Sequence, residues 1–141
     1  NNICHITDPA WLSKVKPPKD SQIVKSTCAT PLFGLTGQVI RQVTPHLHLI
    51  GSSVKVQIIS STGKLKTLAN VPHYNFDGQV TYTLAKPVTI QSGDWIKLTC
   101  GYDPSLRTKL PSTRSLEPRW VTWGDGSSDE MCLGILGVTP H

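Results

Sequence analysis

Apolar and polar positions alternate with a period of two over several short stretches, and nowhere with the 3.6-residue period of a helix. Ser52–Ser60 is the clearest case: Val54, Val56 and Ile58 fall on one face, Lys55 and Gln57 on the other. Leu65–Leu68 begins a returning strand after the hairpin-type turn Ser61-Thr62-Gly63-Lys64. Gln79–Leu84 alternates again, with Val80, Tyr82 and Leu84 facing one way. Gln91-Ser92-Gly93-Asp94 makes a turn before Trp95–Cys100, where Ile96, Leu98 and Cys100 share a face. Gln38–Val43 leads into a further strand, and Trp120–Trp123 and Met131–Val138 supply two more, separated by the turn-rich residues Gly124 to Ser128. Residues 101–118 read as a loop rich in Pro, Ser and Arg. Roughly eight short strands with turn signals every 8–12 residues predict an all-β chain, an antiparallel β-sandwich of jelly-roll type.

The first 31 residues lack sustained periodicity, apart from a possible short strand at Ile23–Val24, and are expected to form an irregular N-terminal arm before a domain spanning residues 32–141. Lys16-Pro17-Pro18-Lys19-Asp20 within it reads as extended. The 141 residues are enough for one domain with a real core. No 18-residue apolar run encodes a membrane span, and no charged-then-apolar leader opens the chain. The sequence thus reads as a cytosolic protein, a mature secreted one or a domain of something longer. Net charge is a modest +5, and the basic residues are scattered except for Lys14, Lys16 and Lys19, which read as a solvated arm. Neither a nucleic-acid partner nor a membrane partner is expected.

The four cysteines, Cys4, Cys28, Cys100 and Cys132, contain no Cys-x-x-Cys pair, which argues against a zinc ribbon or a thioredoxin-type motif. An even count at wide spacing favours two disulfides and a secreted, secretory-lumen or periplasmic setting. Three connectivities are open on spacing alone.

Candidate chemistry centres on Thr44-Pro45-His46-Leu47-His48-Leu49-Ile50-Gly51. In an extended chain His46 and His48 emerge on one face and Leu47 and Leu49 on the other, so two imidazoles make a metal grip. The unique methionine, Met131, follows Asp129 and Glu130 and precedes Cys132. Imidazole plus thioether suits copper, because soft sulfur favours Cu(I) while nitrogen keeps Cu(II) accessible. Zinc prefers a thiolate or carboxylate as third donor. Asp129 and Glu130 have a more structural role, capping the turn or supporting the ligands. His5, His73 and His141 read as exposed, although His73 is also a candidate extra ligand.

Together, His46-Leu47-His48 and Ser127-Ser128-Asp129-Glu130-Met131-Cys132 resemble the C-terminal copper domain of the copper type II, ascorbate-dependent monooxygenases, over about Phe33 to Val138. The resemblance implies a jelly roll holding one copper ion through His46, His48 and Met131, where dioxygen is activated and an aliphatic C–H is hydroxylated. It also implies a Cys100–Cys132 disulfide, which leaves Cys4 to pair with Cys28. Family enzymes carry a second, all-histidine copper on another domain. The remaining histidines here are too few for it, so a second copper domain or other reductant is an expected partner. Peptide-hydroxylating members hold the substrate carboxylate with an arginine and a tyrosine at positions that here are Thr44 and Ile135, which argues against a peptidylglycine substrate.

Two other readings compete with an enzyme domain: a stand-alone copper-binding or electron-transfer protein, and a metal-free, disulfide-stapled adhesion sandwich. No Gly-x-Ser-x-Gly elbow supports a hydrolase, and Asp129 and Glu130 are adjacent and point apart in a strand, which disfavours paired-carboxylate glycosidase work.

Overall fold

Apart from the one expected at Trp120–Trp123, the strands that the alternating pattern predicts form with their ends shifted. The computed structural model of the chain describes residues 24–116 and 123–141. Among them are seven strands: β1 (Val24–Pro31), β2 (Val39–His46), β3 (Gly51–Ile59), β4 (Leu65–Val71), β5 (Tyr82–Thr89), β6 (Trp95–Tyr102) and β7 (Leu133–Thr139). They build two antiparallel sheets, one in the order β1-β6-β3-β4 and one in the order β5-β2-β7. The sheets close as a β-sandwich over one apolar core, to which Ile40 and Val43 contribute from β2, Val54, Val56 and Ile58 from β3, and Ile96 and Leu98 from β6. The faces read from β3 and β6 in the sequence are the faces buried.

Three expectations change. Val24 opens an eight-residue strand, since β1 pairs along the whole of β6, while Ile23 lies outside the described residues. β5 begins at Tyr82, three residues later than the alternation places it, and Val80 stays exposed on the approach. Of Trp120–Trp123 only Trp123 falls within the described residues, and it forms an isolated parallel bridge to Glu130 rather than a strand. The loop after β6 contains a single helical turn, α1 (Leu106–Lys109).

The hairpin turns follow from local chemistry. Gly63 and Gly93 both adopt φ of 81°, the left-handed region that favours glycine. Gly63 N–H closes its turn on the Ser60 carbonyl at 2.8 Å.

One irregularity decides where the chemistry lies. β2 shifts register between Ile40 and Gln42 against both of its neighbours, so Arg41 is a bulge. Ile40 and Val43 are both buried, whereas Arg41 and Gln42 are both exposed. Beyond the bulge Val43 and Pro45 point inward, and Gln42, Thr44 and His46 lie on the opposite face.

Candidate metal centre

The two histidines leave the chain at the end of β2. His46 is the strand's last residue, while His48 lies beyond it in the connection that crosses to β3 in the other sheet. The expectation of two imidazoles on one stiff strand is corrected to that extent: the ladder holds His46 alone. The rings nevertheless come together, with centroids 5.0 Å apart and planes at 85°. Leu47, between them, is fully buried in the core.

Side chains from two distant loops do for His48 what the ladder does for His46. Glu130 is buried to 1 % exposure, and its Oε2 accepts the His48 backbone N–H at 2.9 Å while Oε1 accepts that of Ile50 at 2.8 Å. The Tyr74 hydroxyl accepts the Leu47 N–H at 3.0 Å and donates to the Leu47 carbonyl at 2.7 Å. The turn closes through Gly51 N–H to the His48 carbonyl at 3.0 Å. Buried backbone donors need partners, and here they find them in side chains rather than in a neighbouring strand.

The rings are oriented in the same way. His46 Nδ1 lies 2.6 Å from Gln79 Oε1, and the Gln79 amide is itself fixed because Nε2 donates to the Phe76 carbonyl at 2.9 Å. His48 Nδ1 lies 3.2 Å from the Asp129 carbonyl. A carbonyl oxygen only accepts, so each Nδ1 carries the proton and the neutral ring keeps its lone pair on Nε2. Burial holds the His48 pKa below the ordinary imidazole value, which also favours the neutral ring. Phe76 stands edge-on to His48 at 6.0 Å.

Met131 is half-buried and follows Glu130 directly. Its carbonyl accepts the Tyr102 hydroxyl at 3.0 Å, and the next residue, Cys132, is bridged to Cys100 with Cα atoms 6.0 Å apart. Two residues further on, Leu133 is the cross-strand partner of His46. The chain around Met131 is therefore tied to both histidine-bearing residues. The loop before it is tight: Gly124 N–H bonds the Glu130 carbonyl at 3.1 Å, and any side chain at Gly124 would collide with that of Asp129.

Other candidates from the sequence separate from the pair. His73 is exposed and lines a small cleft with Pro45, Tyr74, Gln79 and Tyr82. His141 is exposed at the far end of β7. His5 and Cys4 lie outside the described residues, and the Cys4–Cys28 pairing with them. Thr44 and Ile135 are direct cross-strand partners one step along from His46. Thr44 Oγ1 is 2.8 Å from Thr81 Oγ1, and Ile135 is 55 % exposed, so that patch carries no charge.

Glu130, expected from the sequence to support the ligands or cap the turn, holds the His48 and Ile50 backbone, whereas Tyr74 and Gln79 are contributors that sequence reasoning did not assign. The one signal was an acid that must enter a buried segment between Asp129 and Met131. Among the described residues no three His, Cys, Asp or Glu side chains gather in ligand geometry. The family model of the copper type II ascorbate-dependent monooxygenase C-terminal domain matches residues 10–136, reaching back well before Phe33.

Proposed function

The chain belongs to the copper type II ascorbate-dependent monooxygenase family, as its C-terminal domain, and from that premise we propose that His46, His48 and Met131 hold one copper ion. The observation that carries the reading is the pair of Nδ1 hydrogen bonds, His46 to Gln79 and His48 to the Asp129 carbonyl, because they leave both Nε2 lone pairs for a metal. Two neutral imidazoles and a thioether, with no carboxylate or thiolate among them, suit a copper that cycles between oxidation states better than they suit zinc. When bound, copper supplies one-electron redox chemistry and the activation of dioxygen for hydroxylating an aliphatic C–H, as in the family.

The chain's own residues do the positioning. Gln79 and Asp129 fix the ring tautomers, Glu130 and Tyr74 fix the backbone between and after the rings, and the Cys100–Cys132 bridge anchors the residue next to the thioether. Burial of Leu47 and Ile50 on either side of His48 keeps that ring from turning away with its backbone. Thr44 and Ile135 supply no charge to hold a substrate carboxylate, which argues against a peptidylglycine substrate. Electrons come from a second copper domain, elsewhere in a longer protein or on another chain, or from an ascorbate-like donor. The Cys100–Cys132 disulfide supports an oxidising compartment, secreted or lumenal, as the setting of the domain.

Copper titration tests the reading. One equivalent should bind, with nitrogen hyperfine structure in EPR of the oxidised form and a sulfur neighbour in X-ray absorption of the reduced form. His46→Ala and His48→Ala should lose the former, and Met131→Ala should lose the latter. Copper affinity unchanged in all three variants would remove the site. Copper binding without hydroxylation, even with a family-type second domain supplied, would leave a stand-alone electron-transfer protein.

A further inference from the structure

The end of the sandwich away from the histidines carries an apolar band that the core does not use. Register aligns Pro31 with Trp95, Trp95 with Ile59 and Ile59 with Leu65, so one row of apolar residues crosses all four strands of the larger sheet. Directly opposed residues share a face, and this is the solvent face, since Ile58 and Ile96, the next residues along, are buried. Trp95 is 42 % exposed and Leu65 48 %, and Phe33, two residues past Pro31, is 82 % exposed at a loop framed by Gly34 and Gly37. The loops here form one continuous end: Leu32 N–H bonds the Asp94 carbonyl at 3.0 Å, and Gly93 abuts Ser61.

Charge at this end has one sign among the described residues. Lys64 precedes Leu65 and Lys97 lies one row below Trp95 on the same face, while Lys66 is paired with buried Ile58 and leaves β4 on the other side. No Asp or Glu occurs in any of the seven strands, and Asp94, the one acid in these loops, is buried with its carboxylate accepting the Gln91 N–H at 2.9 Å. The acids Asp77, Asp103, Asp125, Asp129 and Glu130 all belong to loops at the histidine end.

We propose that this end docks on an anionic phospholipid surface, with Phe33, Trp95 and Leu65 entering the headgroup boundary and Lys64 and Lys97 facing the lipid phosphates. Large apolar tips beside two lysines, with no exposed carboxylate side chain at this end among the described residues, match a membrane interface in both polarity and sign. A protein partner would meet a more nearly planar patch with a rim of both charges. Docked this way, the domain stands with its imidazoles turned toward solvent. No helix among the described residues is long and apolar enough to cross a membrane, so the contact is peripheral. The lysine-rich arm at Lys14–Lys19 gives no hint of it, because the docking end exists only once the strands align.

The inference is independent of the copper reading and has its own test: co-sedimentation of the whole chain with phosphatidylcholine vesicles, with and without phosphatidylserine. Binding should require phosphatidylserine and weaken steeply with salt. The double variant Lys64→Ala, Lys97→Ala should lose about 25-fold in partitioning, roughly fivefold per lysine. Phe33→Ala, at a position too exposed to affect folding, should also weaken binding, and Trp95→Phe should abolish quenching of tryptophan fluorescence by brominated lipid. Absence of binding, equal binding to neutral vesicles, no effect of the lysine variant, or a dimer in solution that masks this end would each overturn the proposal.

Discussion

Glu130 shows how one side chain sets a site without touching its ligand atoms. Each of its carboxylate oxygens takes one backbone N–H, from His48 and from Ile50. Glutamine keeps the shape but accepts at only one position and turns an NH2 toward the other donor. Glu130→Gln should therefore cost about 1–3 kcal/mol in urea unfolding of the metal-free chain. Burial pushes the Glu130 carboxyl up to about 7, against the backbone N–H groups of Ile50 and His48, which favour the ionised form. Between its ordinary 4.5 and about 7 the folded chain keeps a proton that the unfolded chain has released, so stability falls as pH rises through that window. The gap between wild type and Glu130→Gln should be widest near the lower limit and narrow toward the upper; a gap constant with pH would remove Glu130 as the titrating group. Gln79 gives the complementary case. It is exposed and orients only the His46 ring, so Gln79→Ala should leave urea unfolding nearly unchanged while weakening copper binding about 10- to 100-fold.

The bulge in β2 governs the site at the scale of an element. Counting by twos from buried Ile40 sends Gln42, Thr44 and His46 into the core. Arg41, left unpaired in the ladder, reverses that parity and puts His46 on the outer face, opposite Leu133. Deleting Arg41 should give a regular strand with the same facing, because Ile40 then alternates directly with Gln42 and Val43, so His46 stays on the outer face and Val43 in the core. Copper binding should therefore be kept, read by titration beside thermal unfolding. Loss of copper binding would show that the bulge shapes the site by more than the parity of the strand. This is also where sequence reading stops. The alternation of Val54, Val56 and Ile58, or of Ile96, Leu98 and Cys100, was legible because a regular strand with one buried face writes its period directly. A bulge inserts one residue with no composition signal, and Arg41 looks like any exposed cation. The His-x-His pair and the Met-Cys step were legible as donor chemistry. Of the residues that orient them Glu130 was legible only as a support beside the methionine, and Tyr74 and Gln79 were not legible at all, because they act through a fold that brings positions 27 and 33 residues apart into contact.

At the scale of the whole molecule, the histidine end is made of loops from both sheets, and only the Cys100–Cys132 bridge joins them covalently among the described residues. It links β6 of the larger sheet to the residue just before β7 of the smaller one, closing a separation of 32 residues. Replacing both cysteines by alanine should cost about 2–4 kcal/mol, mostly by freeing the unfolded chain. The same change releases the backbone beside Met131, so it should act on copper as well as on folding. A ligand that binds only the folded chain stabilises it by about 2.7 kcal/mol at a hundredfold excess over Kd, and in wild type that gain should appear as a rise in Tm that His48→Ala abolishes. If the bridge positions the thioether, the Cys100→Ala, Cys132→Ala chain should show a smaller copper-induced rise at the same free copper, with the deficit greater for Cu(I), the form that favours sulfur. Differential scanning calorimetry of both chains, with each oxidation state, separates the effects: a lower Tm with an undiminished copper increment would make the bridge a staple for the fold alone. An increment that shrinks for Cu(I) and holds for Cu(II) would tie the thioether to the metal through the geometry that the disulfide imposes.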